Sequence, residues 1–210
     1  MIGVPFFIIL KIKNMVDNIE LLKKHMNFSD SEKFYYLQVL RRKKENKNAK
    51  SVKTIQNFFI QNEEYFDRKI EPIKELCDYF NARAYLRMNR RSYKDVAHEM
   101  NERLAKSLKY EQYNHVSSIF SKACGNVCSE DNKIWVIDLD DDECLLLNEV
   151  KEYIGKLHGE VRNNNYKIIT EVPTKNGVHI LSNPFNSKKF SDKYSSIHVH
   201  KDNPTLMYCP

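Results

Sequence analysis

The chain has 210 residues, of which 41% are hydrophobic and 30% are charged, and only 5 are Gly and 6 are Pro. This composition excludes long disordered tracts and is sufficient for one substantial hydrophobic core. The formal net charge of +6 is compatible with a polyanionic partner without proving one.

The start of the chain predicts neither a membrane segment nor a secretion signal. Residues 2–10 are apolar but too few to span a bilayer, and they lack a basic start and a small-residue cleavage site. Met15 is an alternative start of translation. The five cysteines are scattered and odd in number, which predicts reduced thiols in a cytoplasmic protein. His115, Cys124 and Cys128 lack a fourth zinc ligand at the usual spacing, so ordinary thiols are expected.

Residues 1–80 are predicted to form a helical N-terminal extension, because their apolar residues recur at helical spacing. Three helices are expected, with apolar faces formed by Phe34, Leu37 and Leu40, then by Val52, Ile55 and Phe59, and finally by Ile73, Leu76, Cys77 and Phe80. Pro72 fits the first turn of the third helix. The basic run 41–48 is either a loop that contacts phosphate groups or a solvated helix end.

The remaining residues, 81–210, show strand and helix patterns in turn. Apolar and polar residues alternate over 82–88, which predicts a strand, and Ser92 with Asp95 predicts the start of a helix that runs to about Leu108. The later elements are an apolar strand at 134–139, a helix from Leu146 to Leu157, and strands at 166–172, 178–181, 197–200 and 205–208. We therefore expect an α/β (α+β) domain with a small mixed sheet and helices on one face.

Two aspartates end the apolar strand. Asp138 and Asp140 are two residues apart, so in an extended chain both side chains project from the same face. Like charges this close repel one another unless a cation or a proton lies between them. Mg²⁺ prefers oxygen ligands and is commonly shared between carboxylates and substrate phosphates. Because acidic groups at the end of a buried strand are costly to place, the pattern favours a site for Mg²⁺ or Mn²⁺ over an acidic cap in solvent.

A lysine and a histidine accompany the predicted turn at residues 173–177. Lys175 offers a cation, and Gly177 offers an approachable backbone N–H for a phosphate. His179 lies on the following strand, where a lone histidine is more often a structural hydrogen-bonding group. This hairpin follows the helix that leaves the acidic strand, so the two strands are expected to be neighbours. The combination predicts a nucleoside triphosphate site, in which His179 and Lys175 neutralise phosphate charge.

With these motifs, the chain resembles the archaeo-eukaryotic primase superfamily, the primase-polymerases. That family has a hydrophobic strand ending in Asp-x-Asp, then a strand with a small residue, any residue and His, and then an acidic residue on a later strand. Ile137-Asp138-Leu139-Asp140 matches the first motif, and Gly177-Val178-His179 matches the second. Residues 82–89 and the helix after them resemble the family's leading β-α-β element. The resemblance covers roughly residue 81 to the C-terminus.

The resemblance implies a template-dependent nucleotidyltransferase of DNA replication with an RRM-like catalytic core. Asp138 and Asp140 would be catalytic metal ligands, His179 would contact the phosphates of the incoming nucleoside triphosphate, and Asp202 would be the third acidic ligand. The template would be single-stranded DNA. The sequence has no helicase segment, so a helicase would be a separate chain. A small stand-alone enzyme of this kind looks like a phage or mobile-element replication protein, acting in the host cytoplasm if it is phage-encoded.

Arginines on the strand at 82–88 are candidate contacts for the template or substrate. Arg83 and Arg87 flank Tyr85, and such a strand face could grip a phosphate backbone and stack a base. An ordinary strand edge with solvent-facing charges is equally compatible with this pattern.

Three other functions remain open at this point. His198-Val199-His200 fits a DNA nickase of the His-hydrophobic-His type, in which a tyrosine attacks DNA, although no long helix with such a tyrosine follows. A phosphohydrolase would use Asp138 as the nucleophile and Asp140 as the acid, but it normally carries this pair in its first strand. A non-catalytic adaptor that binds nucleic acid would keep the acidic residues for structural reasons alone.

Overall fold

The structure of the chain is a computed structural model, which describes residues 15–43, 52–157 and 167–210. In chain order, the strands and helices are β1 (Val16–Asp17), α1 (Ile19–Lys23), β2 (Lys33–Arg41), β3 (Lys53–Ile60), α2 (Glu63–Phe80), β4 (Arg83–Leu86), β5 (Arg91–Ser92), α3 (Tyr93–Lys109), α4 (Ile119–Asn126), β6 (Trp135–Asp140), α5 (Leu147–Lys156), β7 (Ile168–Thr174), β8 (Gly177–Ser182), α6 (Ser187–Lys193), β9 (His198–His200) and β10 (Thr205–Cys209). The predictions for residues 2–10 and 44–48 lie outside the described residues.

The strands form two antiparallel sheets. The first has the order β1-β10-β4-β2-β3, with β5 beside β2, and the second has the order β7-β8-β6-β9. All pairings between the described strands are antiparallel. The α+β class is therefore confirmed, while the single mixed sheet is corrected to two antiparallel sheets. Among the described residues, no helix is both long and apolar enough for a membrane span.

The hairpin of β2 and β3 lies where two helices were predicted. Leu37 pairs with Phe58, and Val39 with Gln56. Both faces of β2 are largely buried, and a strand buried on both faces is apolar without alternation, so spacing alone does not separate it from a helix. The prediction of a helical extension is wrong for this hairpin. Because β2 pairs with both β3 and β4, residues 33–60 belong to the same sheet as β4.

β6 is an interior strand of the second sheet, as its apolar sequence predicted. Trp135, Ile137 and Leu139 lie on one face and pack with buried residues of α5 and α6. Val136 lies on the other face and belongs to the same buried cluster as Ala84 of the first sheet. The two sheets therefore share one core, and the alternation along β6 places its carboxylates on the face of Val136.

The helices agree with the sequence to different degrees. The predicted start of α3 is confirmed, because the Ser92 hydroxyl accepts a hydrogen bond from the Asp95 N–H at 3.0 Å. α2 begins earlier than predicted, after Asn62, whose side chain accepts a hydrogen bond from the Tyr65 N–H at 2.8 Å. Pro72 therefore lies inside α2 and not in its first turn. The helices α4 and α6 were not predicted.

Candidate active site

The aspartates of β6 lie opposite the strand that carries the histidine. Asp138 pairs with His179 of β8, and Asp140 pairs with Gly177. The Nε2 atom of His179 lies 3.3 Å from the Oδ1 atom of Asp138. The expected proximity of the acidic strand and the histidine strand is therefore confirmed, and the β7–β8 hairpin turns at residues 175–176, next to Asp140.

An open cleft of about 340 Å³ brings most of the predicted site residues together. Asp138, Asp140, Lys175 and His179 line it from the second sheet, and Arg83 lines it from β4 of the first sheet. Residues that are almost a hundred positions apart in sequence thus share one cavity. These five residues supply two carboxylates, two cationic side chains and an imidazole that hydrogen-bonds one of the carboxylates.

Arg42 and Tyr85 also line this cleft. Arg42 directly follows β2, and the pairing of Leu40 with Arg83 aligns the ends of β2 and β4. From the sequence, Arg42 was only one residue of a basic run. No sequence pattern near it indicates that the end of β2 would lie beside the acidic strand. The cleft therefore has carboxylates from β6 and, from the first sheet, two guanidinium groups and a phenol ring.

The cleft electrostatics favour an ionised Asp138. The hydrogen bond from His179 lowers the pKa of the Asp138 carboxyl below its ordinary value, and the Coulomb interactions with His179, His200 and Arg42 act in the same direction. Burial opposes these effects without reversing them. A metal ligand must be deprotonated, so Asp138 has the charge state that cation binding requires at neutral pH.

The backbone geometry requires a glycine at position 177, whether or not a ligand binds. Its φ is +147°, and an added Cβ would lie 2.1 Å from the carbonyl oxygen of Leu139. The close approach of β8 to β6 beside Asp140 therefore depends on the missing side chain. The sequence suggested only that this glycine leaves its N–H accessible to a phosphate.

We expect Gly177→Ala to lower the free energy of unfolding by about 2–4 kcal/mol, since it combines strained backbone with overpacking. Chemical denaturation measures this loss. Gly155→Ala in α5 is the matched control, because its Cβ would meet nothing within 4 Å, and the helix propensity of Ala predicts a small gain. Equal stability of the two variants would contradict the close contact at Gly177.

Asp202 and Arg87 are not part of the cleft. The Oδ2 atom of Asp202 lies 2.5 Å from Arg91 Nη2 and 3.3 Å from Arg87 Nη1. Its Oδ1 atom accepts a hydrogen bond from Asn89 at 3.0 Å. Both oxygens of this carboxylate are thus occupied by an ion cluster that includes the fully buried Arg91. We correct the two assignments: Asp202 is not retained as a metal ligand, nor Arg87 as a substrate-binding residue.

The histidines of β9 lie on the other side of β6. His198 pairs with Asp138 and His200 with Val136, and the two imidazole rings are 6.1 Å apart. Neither ring lines the cleft. Tyr85 lines the cleft together with the carboxylates. It lies on a strand and precedes this histidine pair by more than a hundred residues. The arrangement that the nickase alternative needs, a histidine pair beside a tyrosine on a following helix, is not found in the described part of the chain.

The burial of His200 gives a testable pH dependence. Burial lowers the pKa of its imidazole below the ordinary value, although the charge of Asp138 acts in the opposite direction. A lowered pKa means that the unfolded chain binds this proton more readily than the folded chain does. The neutral His200 side chain therefore lets the fold keep its full stability above about pH 6.5. Part of this stability is lost as the pH falls toward the folded-state pKa of His200. We expect the fall in unfolding free energy between about pH 7 and 5 to be smaller in His200→Gln; an identical slope would refute this role.

The donor groups of the cleft fit a hard divalent cation. Mg²⁺ usually takes one or two carboxylates and completes its octahedron with water and substrate phosphates. Asp138 and Asp140 both open into the cleft, and 42% of the Asp138 side chain is exposed. Across residues 15–43, 52–157 and 167–210, no group of three or more His, Cys, Asp or Glu side chains is arranged to hold a metal ion. The two carboxylates therefore fit a cation whose remaining ligands come from a bound phosphate and water.

Comparisons of the chain with models of protein families, with curated proteins and with solved structures find no match.

Proposed function

We propose that the protein is a template-dependent nucleotidyltransferase, a primase- or polymerase-like enzyme of DNA replication. One observation carries the proposal: Asp138, Asp140 and His179 meet in a single open cleft beside Lys175. The pairing of β6 with β8 brings these residues together, and their side chains line a cavity that is open to a ligand. A nucleoside triphosphate with a divalent cation is the ligand class that uses both kinds of group.

The residues divide the work of binding between the two sheets. Asp138 and Asp140 would hold Mg²⁺ or Mn²⁺, which when bound acts as a Lewis acid on the phosphate oxygens. Lys175, Arg83 and Arg42 would place positive charge around the triphosphate. The Nε2–H of His179 donates to Asp138 and would orient this carboxylate for the cation.

The reaction is a nucleotidyl transfer. The 3′-oxygen of the growing strand forms a bond to the α-phosphorus, and the bond between the α-phosphorus and its bridging oxygen to the β-phosphate breaks. Pyrophosphate leaves, and the proton of the hydroxyl passes to solvent. The chain contributes by orienting the triphosphate and by stabilising negative charge that shifts onto the leaving pyrophosphate.

The surface next to the cleft suits a polyanionic template. The neighbouring strands β10, β4, β2 and β3 contain no acidic residue, and their basic residues are Lys33, Arg41, Lys53 and Arg83. Tyr85 is exposed in part and lines the cleft, where its ring can stack on a base. A single-stranded DNA template would therefore enter the cleft past Tyr85 and Arg42, which both line it. A helicase, if one takes part, would be a separate chain.

The direct test is an incorporation assay with the full chain, Mg²⁺ or Mn²⁺, labelled nucleoside triphosphates and single-stranded DNA with and without a primer. We expect oligonucleotide products that depend on template and on the cation. A covalent adduct between protein and DNA would instead identify a nickase, and phosphate release from a monoester would identify a hydrolase. Tight DNA binding with no product in any assay would identify an adaptor and overturn the proposal.

The cleft cations give a second expectation. Lys175→Ala removes a charged contact to the triphosphate, and such contacts contribute about 1.5–3 kcal/mol, which corresponds to a rise of about 10- to 100-fold in KM for the nucleotide. Steady-state incorporation measures this change. Lys188→Ala is the control, because Lys188 is exposed on α6 and does not line the cleft. An unchanged KM in Lys175→Ala would remove this residue from the site.

A further inference from the structure

The imidazole of His179 is held from both sides by groups of different sheets. Its Nε2 atom lies 3.3 Å from Asp138 Oδ1 of β6. Its Nδ1 atom lies 2.9 Å from the hydroxyl oxygen of Thr205, which belongs to β10 of the first sheet. The Thr205 side chain is fully buried, and only 12% of the His179 side chain is exposed. This hydrogen bond is therefore shielded from water and joins the two sheets behind the cleft.

The chemistry of these partners fixes the proton on the ring. An ionised carboxylate only accepts hydrogen bonds, so Nε2 must carry a hydrogen to bond Asp138. In a neutral imidazole the other nitrogen is then an acceptor, and the Thr205 hydroxyl is the donor that satisfies it. Thr205 is β-branched and buried, so its hydroxyl has little freedom to turn elsewhere.

We propose that Thr205 is a positioning residue: its hydroxyl donates to the Nδ1 atom of His179 and holds the ring with its Nε2–H toward Asp138. This inference rests on the proposed function and deepens it, since the Nε2–H orients the carboxylate that would hold the cation. Removing a hydrogen-bond partner from the outer shell of a metal-ligating side chain commonly costs about 10- to 100-fold in activity. Thr205 is close to the end of the chain, and no motif in the sequence pointed to it.

The test uses three variants of the full chain. Thr205→Val keeps the shape and removes the hydroxyl, while Thr205→Ser keeps the hydroxyl. Ser182→Ala is the matched control, because its buried hydroxyl has no hydrogen-bond partner in the described part of the chain. We expect kcat/KM for nucleotide incorporation to fall about 10- to 100-fold in Thr205→Val, to stay within a few-fold of wild type in Thr205→Ser, and to be unchanged in Ser182→Ala.

A spectroscopic measurement separates this inference from the proposed function. Nitrogen-15 NMR of the His179 ring reports which ring nitrogen carries the hydrogen, and whether the other accepts a hydrogen bond, without any enzyme assay. Wild type is expected to show a protonated Nε2 and an Nδ1 that accepts a hydrogen bond, and Thr205→Val an Nδ1 signal shifted to that of a nitrogen without this hydrogen bond. A protonated Nδ1 in wild type, or the same ring signals in Thr205→Val, would overturn the inference. An inactive wild type with the expected tautomer would refute only the proposed function.

Discussion

Asp138→Asn should reduce nucleotide incorporation by about 10²–10⁴-fold, which corresponds to a loss of several kcal/mol of transition-state stabilisation. The amide keeps the shape of the side chain but removes the charge and one of the two anionic oxygens that face the cleft. Asp140→Asn should have an effect of the same order, because both carboxylates line the same cavity. Steady-state incorporation with Mg²⁺ and with Mn²⁺ measures the loss.

The control for this pair is Asp142→Asn, two residues beyond Asp140 in the same acidic run. Asp142 is exposed and does not line the cleft, so its amide should leave incorporation nearly unchanged. Circular dichroism of each variant verifies that the fold is kept. Similar incorporation rates in wild type and Asp138→Asn would exclude a metal-dependent role for this carboxylate, even if both proteins bind DNA.

Asp202→Ala is expected to destabilise the fold by about 3–5 kcal/mol, because it leaves buried positive charge without its partner. Arg91 is fully buried, and its Nη2 atom lies 2.5 Å from the Asp202 carboxylate. Burial already lowers the pKa of the neighbouring Arg87, which indicates that the charged form of this guanidinium is poorly solvated. Removing the carboxylate would leave both guanidinium groups without this anionic partner.

Chemical denaturation of Asp202→Ala distinguishes the ion cluster from the metal role that the sequence had suggested. Asp192→Ala, at an exposed position on α6, should change the free energy of unfolding by no more than about 0.5 kcal/mol. A metal ligand in an open cleft would show the reverse pattern, with lost incorporation and little loss of stability. Near-wild-type stability of Asp202→Ala would therefore contradict the ion cluster.

The sequence was sufficient to predict the acidic strand β6 and the hairpin that carries His179, since both depend on local residue patterns. The apolar run that ends in Asp138 and Asp140 predicts a buried interior strand, and the turn before His179 predicts a hairpin, and both are present. The helix prediction for residues 33–41 was wrong because a strand that is buried on both faces shows no alternation of apolar and polar residues. Its central place in a sheet is a property of long-range pairing, which spacing does not encode.

The site residues on the β7–β8 hairpin and on β6 could be predicted from the sequence. Those that reach the site from the first sheet could be predicted only in part. Arg42 and Thr205 are separated by more than 160 residues, and both reach the site only because β2 and β10 each pair with β4. Asp202 was misassigned because an acidic residue near a strand has the same sequence signature whether it binds a metal or an arginine. The buried Arg91 decides between these roles, and its burial is visible only in three dimensions.

The most direct test of the account is a crystal structure of the protein with Mg²⁺ and a nucleoside triphosphate that cannot be cleaved at its α-phosphate. The account predicts an ion about 2.0–2.1 Å from carboxylate oxygens of both Asp138 and Asp140 and from oxygens of the triphosphate, with Lys175 beside the phosphates. A triphosphate bound away from this cleft, or one bound in it with no cation touching either aspartate, would contradict the central claim.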